Sequence, residues 1–294
     1  MKGKMKMDKV FIKCPGKINL SLDVVGKLDN GYHKLEMIMQ SIALYDIVTL
    51  EKNDAGINIY CTNSNVPLDE ENICHKAASN MKEKFGLLGG IDITIVKNIP
   101  ISAGLAGGST DAAGVILGIN KLYKLNLSKA EMMDIGVMLG ADVPFCINSG
   151  TAFATGIGEV IKKLPSIGAW CVLAKPDVSV STLEVFKKFR LDEVLKHPDT
   201  DSLLEYVNKG ELQQLSQNMI NVLEIVTTKD YPIILDIKNI MMEFDALGSL
   251  MSGSGPTVFG LFEDKNTAEK CYHRLRDYLK EVYLVRTEAE IQIE

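Results

Sequence analysis

Between Gly16 and Val24 apolar and polar residues alternate: Ile18, Leu20, Leu22 and Val24 hold the even positions, and Lys17, Asn19, Ser21 and Asp23 the odd ones. A period of two predicts a strand with one core face and one polar face. Asp29-Asn30-Gly31 predicts a turn, and a mixed segment from Leu35 to Leu50 leads into a second strand-like run over Asp46 to Glu51. Residues 72–85 read as a helix. Ile91, Ile93 and Ile95 alternate with Asp92, Thr94 and Val96, which predicts a further strand that ends at Lys97-Asn98-Ile99-Pro100. The next segment, Ile101 to Asp111, is a loop of small residues. Behind it Ala112, Val115, Ile116, Ile119 and Leu122 recur at three- and four-residue spacing, so the loop opens a helix, with Ser109 or Thr110 as its cap and Asp111 in its first turn. Ser128-Lys129-Ala130-Glu131 is a capping box that announces a second helix, which stops at Gly140. Beyond Asp142-Val143-Pro144, the runs Phe145 to Ile147 and Thr151 to Thr155 around Asn148-Ser149-Gly150 predict a hairpin.

After Glu159 the pattern changes. Trp170 to Ala174 is a short apolar strand, and Ser181-Thr182-Leu183-Glu184 is a capping box leading into Val185-Phe186. Residues 199–247 are mostly helical in pattern, with Gly248 placed to end that stretch before the turn Ser252-Gly253-Ser254-Gly255-Pro256. A strand over 257–262, a helix over 266–280 and a final strand over 282–285 complete the chain. This order predicts an α+β fold with a boundary near residue 160, dividing the chain into 1–160 and 161–294. No repeat recurs at a period of 20 to 50 residues.

Composition narrows the class. Of the 294 residues 46% are hydrophobic and 24% charged, as in a folded globular protein. A net charge of −6 argues against general nucleic-acid binding, which needs a basic surface. The six cysteines, Cys14, Cys61, Cys74, Cys146, Cys171 and Cys271, form no CxxC pair and read as reduced thiols of a cytoplasmic protein. No apolar run reaches the ~18 residues of a membrane span. Residues 1–9, with Lys2, Lys4, Lys6 and Lys9, have no apolar stretch behind them and read as a frayed terminus rather than a signal peptide.

A strand, a loop of small residues and a helix N-terminus together form an anion site, because free N–H groups and the helix dipole converge there. The same residues also suit a tight strand-to-helix connection. No Lys follows Gly108, which excludes the GxxxxGK[ST] loop, and Gly104 and Gly107 do not fit GxGxxG. Asp142, just before Val143-Pro144, is a turn former or a proton acceptor, and Lys17 beside Asn19 is a solvated edge residue or part of a site. His33 follows Tyr32 in a turn. His75, His197 and His273 have no metal spacing and read as structural. The Ser252 to Gly255 turn either cradles a second phosphate or simply reverses the chain. The absence of GxSxG and HExxH excludes the corresponding esterases and zinc proteases.

Four segments in order carry a resemblance: Pro15-Gly16-Lys17-Ile18-Asn19-Leu20, the loop Pro100 to Ala113 with GLAGGSTDAA, Gly140-Ala141-Asp142-Val143-Pro144-Phe145, and SGSGPTVF at 252–259. Over about residues 10 to 290 the chain resembles the GHMP kinase superfamily. Gly31-Tyr32-His33 and GADVPF are similar to its branch that phosphorylates cytidine diphosphate methylerythritol in non-mevalonate isoprenoid synthesis. The resemblance implies an N-terminal domain like the second domain of ribosomal protein S5, a C-terminal ferredoxin-like domain, and a site between them. It implies ATP and Mg2+ as cofactors. Ser102, Ala103, Gly104, Leu105, Ala106, Gly107, Gly108, Ser109 and Thr110 would wrap the ATP phosphates, Pro100 and Ile101 would belong to the same ATP site, and Asn72 and Lys97 would contact adenine. Tyr32, His33 and Phe186 would hold the cytosine ring, Tyr32 and Phe186 by stacking. Asp142 would be the general base, Lys17 would orient the acceptor hydroxyl, and Asn19 would brace the site. Magnesium has no assigned ligand, with Thr110 the candidate by analogy. The partners implied are a small-molecule substrate and neither nucleic acid nor membrane, for a cytoplasmic monomer or weak homodimer.

The sequence departs from the commoner family pattern at Cys14, at Gly16 in place of Ala, and at Ser102 and Ala106, where glycine is frequent. Two alternatives stand beside this reading. One is a kinase for another small alcohol such as mevalonate or homoserine, which would have no use for aromatic partners at Tyr32, His33 and Phe186. The other is a catalytically silent nucleotide-binding regulator, although Lys17 and Asp142 are both retained.

Overall fold

The computed structural model describes residues 9–29, 31–287 and 290–294. Residues 1–8 of the terminal segment, and Asn30 of the first turn, lie outside them. Two long antiparallel strands, β1 (Lys9–Lys27) and β2 (His33–Asn53), pair along their whole length. The period of two is broken inside β1 by register shifts between Pro15 and Gly16, Asn19 and Ser21, and Val24 and Gly26. An extra residue in one strand turns the following side chains onto the other face. Ile18 and Leu20 accordingly pack in one hydrophobic cluster with Ile38, Ile42 and Phe259, whereas Leu22 and Val24 join another with Leu35 and Met37. The polar positions are buried as well, Lys17 at 5% exposure and Asn19 at 0%, so the expected solvated face is an interior wall.

Strand β3 (Ile57–Cys61), which the hydrophobic pattern did not announce, leads to helix α1 (Ile73–Phe85) and then to β4 (Gly90–Val96), parallel to β3. Helix α2 (Gly107–Tyr123) is buried along most of its length, including Ala112, Val115, Ile116, Ile119 and Leu122. Its N-cap is Ala106, not Ser109 or Thr110: the helix starts three or four residues earlier than their cap chemistry suggests, which places both inside it and Asp111 beyond its first turn. Helix α3 (Lys129–Val137) has both bonds of the Ser128–Glu131 capping box. The expected first arm of the next hairpin is instead a short helix, α4 (Val143–Asn148), with Pro144 in its first turn. A three-residue apolar run does not distinguish strand from helix, and proline favours the helix start. The real hairpin is β5 (Thr151–Gly156) with β6 (Val160–Leu164), and β5 lies on β2.

The remaining elements are β7 (Trp170–Lys175), α5 (Thr182–Lys188), α6 (Thr200–Lys209), α7 (Leu212–Asn218), α8 (Glu224–Asp230), α9 (Ile233–Glu243), β8 (Gly248–Met251), β9 (Val258–Phe262), α10 (Lys265–Arg276), β10 (Glu281–Arg286) and β11 (Gln292–Ile293). At α5 Ser181 caps Glu184 N–H, while the Glu184 carboxylate accepts from Lys187. Gly248 opens β8 rather than closing a helix, and β10 is not the last strand, because β11 returns to pair with Ile12 and Lys13 of β1. One sheet has the order β11-β1-β2-β4-β3, with β5 also on β2 and β6 on β5; the other is β10-β7-β9-β8. The buried wall of β1, the start of α2, the start of α4 and the β8–β9 turn converge on one cavity.

Candidate active site

The cavity has a volume of about 620 Å³. One end is made of backbone. Ser102, Gly104 and Ala106 take left-handed φ values of 52°, 74° and 56°, so every second residue of the loop is turned over. Such alternation directs successive N–H groups into one concavity, a cradle for an anion. Glycine is required at 104, since a Cβ there would collide with the Ser252 carbonyl. Ser102 and Ala106 adopt the same region at a cost of roughly 1–2 kcal/mol each. These are the two positions where the sequence departs from glycine. The loop is braced from both sides: Lys17 N–H donates to Leu105 O at 3.0 Å, and Ser252 Oγ donates to Gly104 O at 2.9 Å. Pro100 through Ser109 all line the cavity, while Thr110 sits behind them, fully buried.

The middle of the cavity holds a charged pair. Lys17 Nζ donates to Asn19 Oδ1 at 2.7 Å and stands 3.9 Å from Asp142 Oδ2. Lys17 is 5% exposed and the Asp142 side chain 34%, so the carboxylate is open to a ligand while the ammonium is fixed. Asp142 occupies the N-cap of α4 without capping it. A cap oxygen bonds the N–H of the second or third helical residue, and the second here is Pro144, which has none. Its carboxylate is thereby left to face Lys17.

Asn72 and Lys97 also line the cavity, each held by protein partners. Asn72 caps α1 by accepting from Cys74 N–H at 2.8 Å and donates to Pro67 O at 2.6 Å. The Lys97 ammonium bonds the Asp46 carboxylate and, at 2.8 Å, Asp111 Oδ2. Burial opposes its charge, yet Asp111 and Asp46 raise its pKa above the ordinary value. Asp111 is also pushed well up, first by burial and then by the Asp46 carboxylate, which together outweigh Lys97. Among the described residues, Asp111 Oδ1 and Thr110 Oγ1 are buried without a hydrogen-bond partner.

At the far end Phe186 lines the cavity, and His33 stacks on it with ring centroids 5.2 Å apart and planes at 28°. Burial, and then Lys27, lower the His33 pKa below 6.5, which favours the neutral ring. Tyr32 is 61% exposed, and neither it nor His33 is among the lining residues. Sequence reasoning missed several residues of the wall. Leu22, Leu35 and Met37 reach it through the β1 register shift, and Thr182 Oγ1 meets Ser254 Oγ at 2.8 Å across it. The Ser252 to Gly255 turn is legible as glycine-rich, but its contact with Gly104, 148 residues away, leaves no local signal. An anion cradle beside a carboxylate and an ammonium, with an aromatic wall beyond, is suited to phosphoryl transfer from a nucleotide to an alcohol.

Residues 72–150 match the family model of the GHMP kinases N terminal domain, and residues 202–281 that of GHMP kinases C terminal. A 4-diphosphocytidyl-2-C-methyl-D-erythritol kinase of Clostridium novyi is 49% identical over 279 residues, covering 95% of this chain and 100% of that one. A crystal structure of 4-(cytidine 5'-diphospho)-2C-methyl-D-erythritol kinase superposes with a TM-score of 0.82 at 30% identity, covering 95% of this chain and 99% of the other. A homoserine kinase of Cytophaga hutchinsonii reaches a TM-score of 0.81 at 18% identity over 100% of this chain and 99% of its own; that likeness is one of fold alone.

Proposed function

This chain belongs to the GHMP kinase family, and from that premise we propose that it transfers the γ-phosphoryl group of ATP to the 2-hydroxyl of 4-diphosphocytidyl-2-C-methyl-D-erythritol. It is an ATP-dependent small-molecule kinase of the α+β class. The observation that carries the assignment of roles is the Lys17–Asp142 pair, set between the anion cradle and the aromatic wall.

The loop N–H groups from Ser102 to Gly108 and the start of α2 hold the phosphates of ATP. Phe186, with His33 stacked behind it and Tyr32 at the rim, takes the cytosine ring, which leaves the methylerythritol end beside Asp142. Asp142 accepts the proton of the 2-hydroxyl while that oxygen forms its bond to the γ-phosphorus, and ADP departs with the electrons of the broken P–O bond. Lys17 holds the attacking oxygen by hydrogen bonding. Asn19 fixes the Lys17 ammonium at 2.7 Å. Asp111, which lines the cavity, and Thr110 behind it would be the residues to hold a magnesium ion, which when bound would neutralise phosphate charge. Asn72 and Lys97 lie on the adenine side in this reading. It also includes the division at residue 160, a cytoplasmic location consistent with six unpaired thiols, and a monomer or weak homodimer. Among the described residues no helix is long and apolar enough to cross a membrane.

The test is to incubate the protein with ATP, magnesium and the cytidyl substrate and to locate the new phosphate by 31P NMR. A monoester on the 2-oxygen supports the assignment. ADP release with the phosphate on another oxygen, or no ADP, overturns it.

A further inference from the structure

Asn221 belongs to no motif, yet its surroundings are ordered towards the site. It lies between α7 and α8 at 3% exposure. Its backbone neighbours pair with β1: Leu22 N–H donates to Ile220 O at 2.9 Å, and Val222 N–H donates to Leu22 O at 3.0 Å. Its side chain turns the other way. Nδ2 donates to Met251 O at 2.8 Å and to Gly253 O at 2.7 Å, while Oδ1 accepts from Leu223 N–H at 3.0 Å. A primary amide has two N–H bonds, and both are committed to the β8–β9 turn.

That turn carries the second sheet up to Lys17 and Asn19. A Cβ built on Gly253 would stand 3.4 Å from Lys17 Nζ and 3.5 Å from Asn19 Oδ1. One residue earlier, Ser252 Oγ donates to Gly104 O of the phosphate loop. The contacts therefore close a ring: Lys17 runs along β1 to Leu22, Leu22 pairs with the Asn221 segment, and Asn221 grips the turn. The turn returns to Lys17 and to Gly104.

We infer that Asn221 is a positioning residue for the phosphoryl transfer, fixing the Ser252–Gly255 turn so that Lys17 and the phosphate loop are held as one unit. The inference rests on the roles proposed above for Lys17 and the loop. Removing the amide takes both side-chain donors from the turn and releases it, whereas Phe186 is reached from the turn only by way of the Ser254–Thr182 hydroxyl pair at the start of α5, one helical turn away from the ring. Phosphoryl transfer and nucleotide binding should suffer, and the cytidyl end should not.

The experiment compares the full-length wild type with Asn221→Ala and Asn221→Asp. Asn221→Asp keeps the acceptor for Leu223 N–H but removes both donors. Thr287→Val serves as a control for stability, since it removes a buried hydroxyl that bonds Ile167 O and Ala169 N–H outside the cavity. Steady-state kinetics, with isothermal titration of a non-hydrolysable ATP analogue and of cytidine diphosphate, give rates per folded site and separate affinities. Both Asn221 variants should lower kcat by about tenfold or more and weaken the analogue about fivefold, with cytidine diphosphate affinity within about twofold. Changes no larger than those of Thr287→Val, or equal losses at both ends of the cavity, would overturn the inference. Should the wild type not turn over the cytidyl substrate, the proposed function fails. The analogue affinities measured against the Thr287→Val control still decide the role of Asn221.

Discussion

The two ends of the cavity are built from different materials. The end proposed to hold the phosphates is backbone from one continuous stretch, Pro100 to Ser109, whose shape depends on left-handed residues at 102, 104 and 106. The end proposed to hold the acceptor is side chains from separate elements: Lys17 and Asn19 on β1, Asp142 before α4, and Phe186 on α5. A backbone site tolerates exchange of side chains so long as the local φ values survive, which is why Ser102 and Ala106 can stand where glycine is frequent. A side-chain site tolerates backbone drift only while the functional atoms stay in reach, and it is lost at a single substitution. Changes at the acceptor end should therefore act on turnover or acceptor affinity, and changes in the loop on nucleotide affinity and stability.

The largest expected effect is at the acceptor end. Asp142→Asn should lower kcat by about 100-fold or more while leaving ATP affinity near wild type. Steady-state kinetics with a nucleotide titration checks this, and near-normal turnover would remove Asp142 from the mechanism. Next, Gly104→Ala should raise KM for ATP by about tenfold, because the added Cβ meets the Ser252 carbonyl in a left-handed residue. An unchanged KM would mean that the cradle is not what holds the phosphates. Phe186→Ala should cost about 1 kcal/mol of acceptor binding, or about fivefold in KM, with kcat little changed. A loss confined to kcat would place Phe186 near the chemistry instead.

A smaller effect concerns pH. His33 is held below its ordinary 6.5 by burial and Lys27, so the ring stays neutral on acidification for longer than a free imidazole. KM for the cytidyl substrate should be flat from about pH 8 to about pH 6.5 and rise a few-fold only below that. A rise beginning above about pH 7 would show that His33 is not held below its ordinary pKa. Smallest of all, Ala106→Gly should stabilise the fold by about 0.5 kcal/mol, the relief of a left-handed alanine less the chain entropy of glycine. Thermal melts would show it, and a lowered Tm would mean that the strain at 106 is offset by contacts of the methyl group.

The same contrast governs what the sequence made legible. The phosphate loop, the Ser128 capping box and the buried stripe of α2 are local patterns, readable because cause and consequence lie within a few residues. The interior wall of β1 was not readable. Its alternation suggests a solvated polar face, but the covering turn from residue 252 onward makes Lys17 an interior ammonium, and the register shift beyond Asn19 brings Leu22 to the same wall. The short helix α4 passed for a strand because Phe145-Cys146-Ile147 suits either, yet that helix start, with no N–H at Pro144, is what leaves the Asp142 carboxylate uncapped. The Asn221 contacts join residues up to two hundred positions apart, beyond any local signal.

The central claim is that one cavity joins a nucleotide cradle to an acceptor clamp chosen for a cytidyl group. It is tested most directly by steady-state ADP release, measured with magnesium and ATP against four acceptors: 4-diphosphocytidyl-2-C-methyl-D-erythritol, methylerythritol without the cytidyl group, mevalonate and homoserine. Turnover confined to the cytidyl acceptor is the expected result. Turnover with mevalonate or homoserine instead, or ADP release indifferent to the acceptor, would contradict the claim.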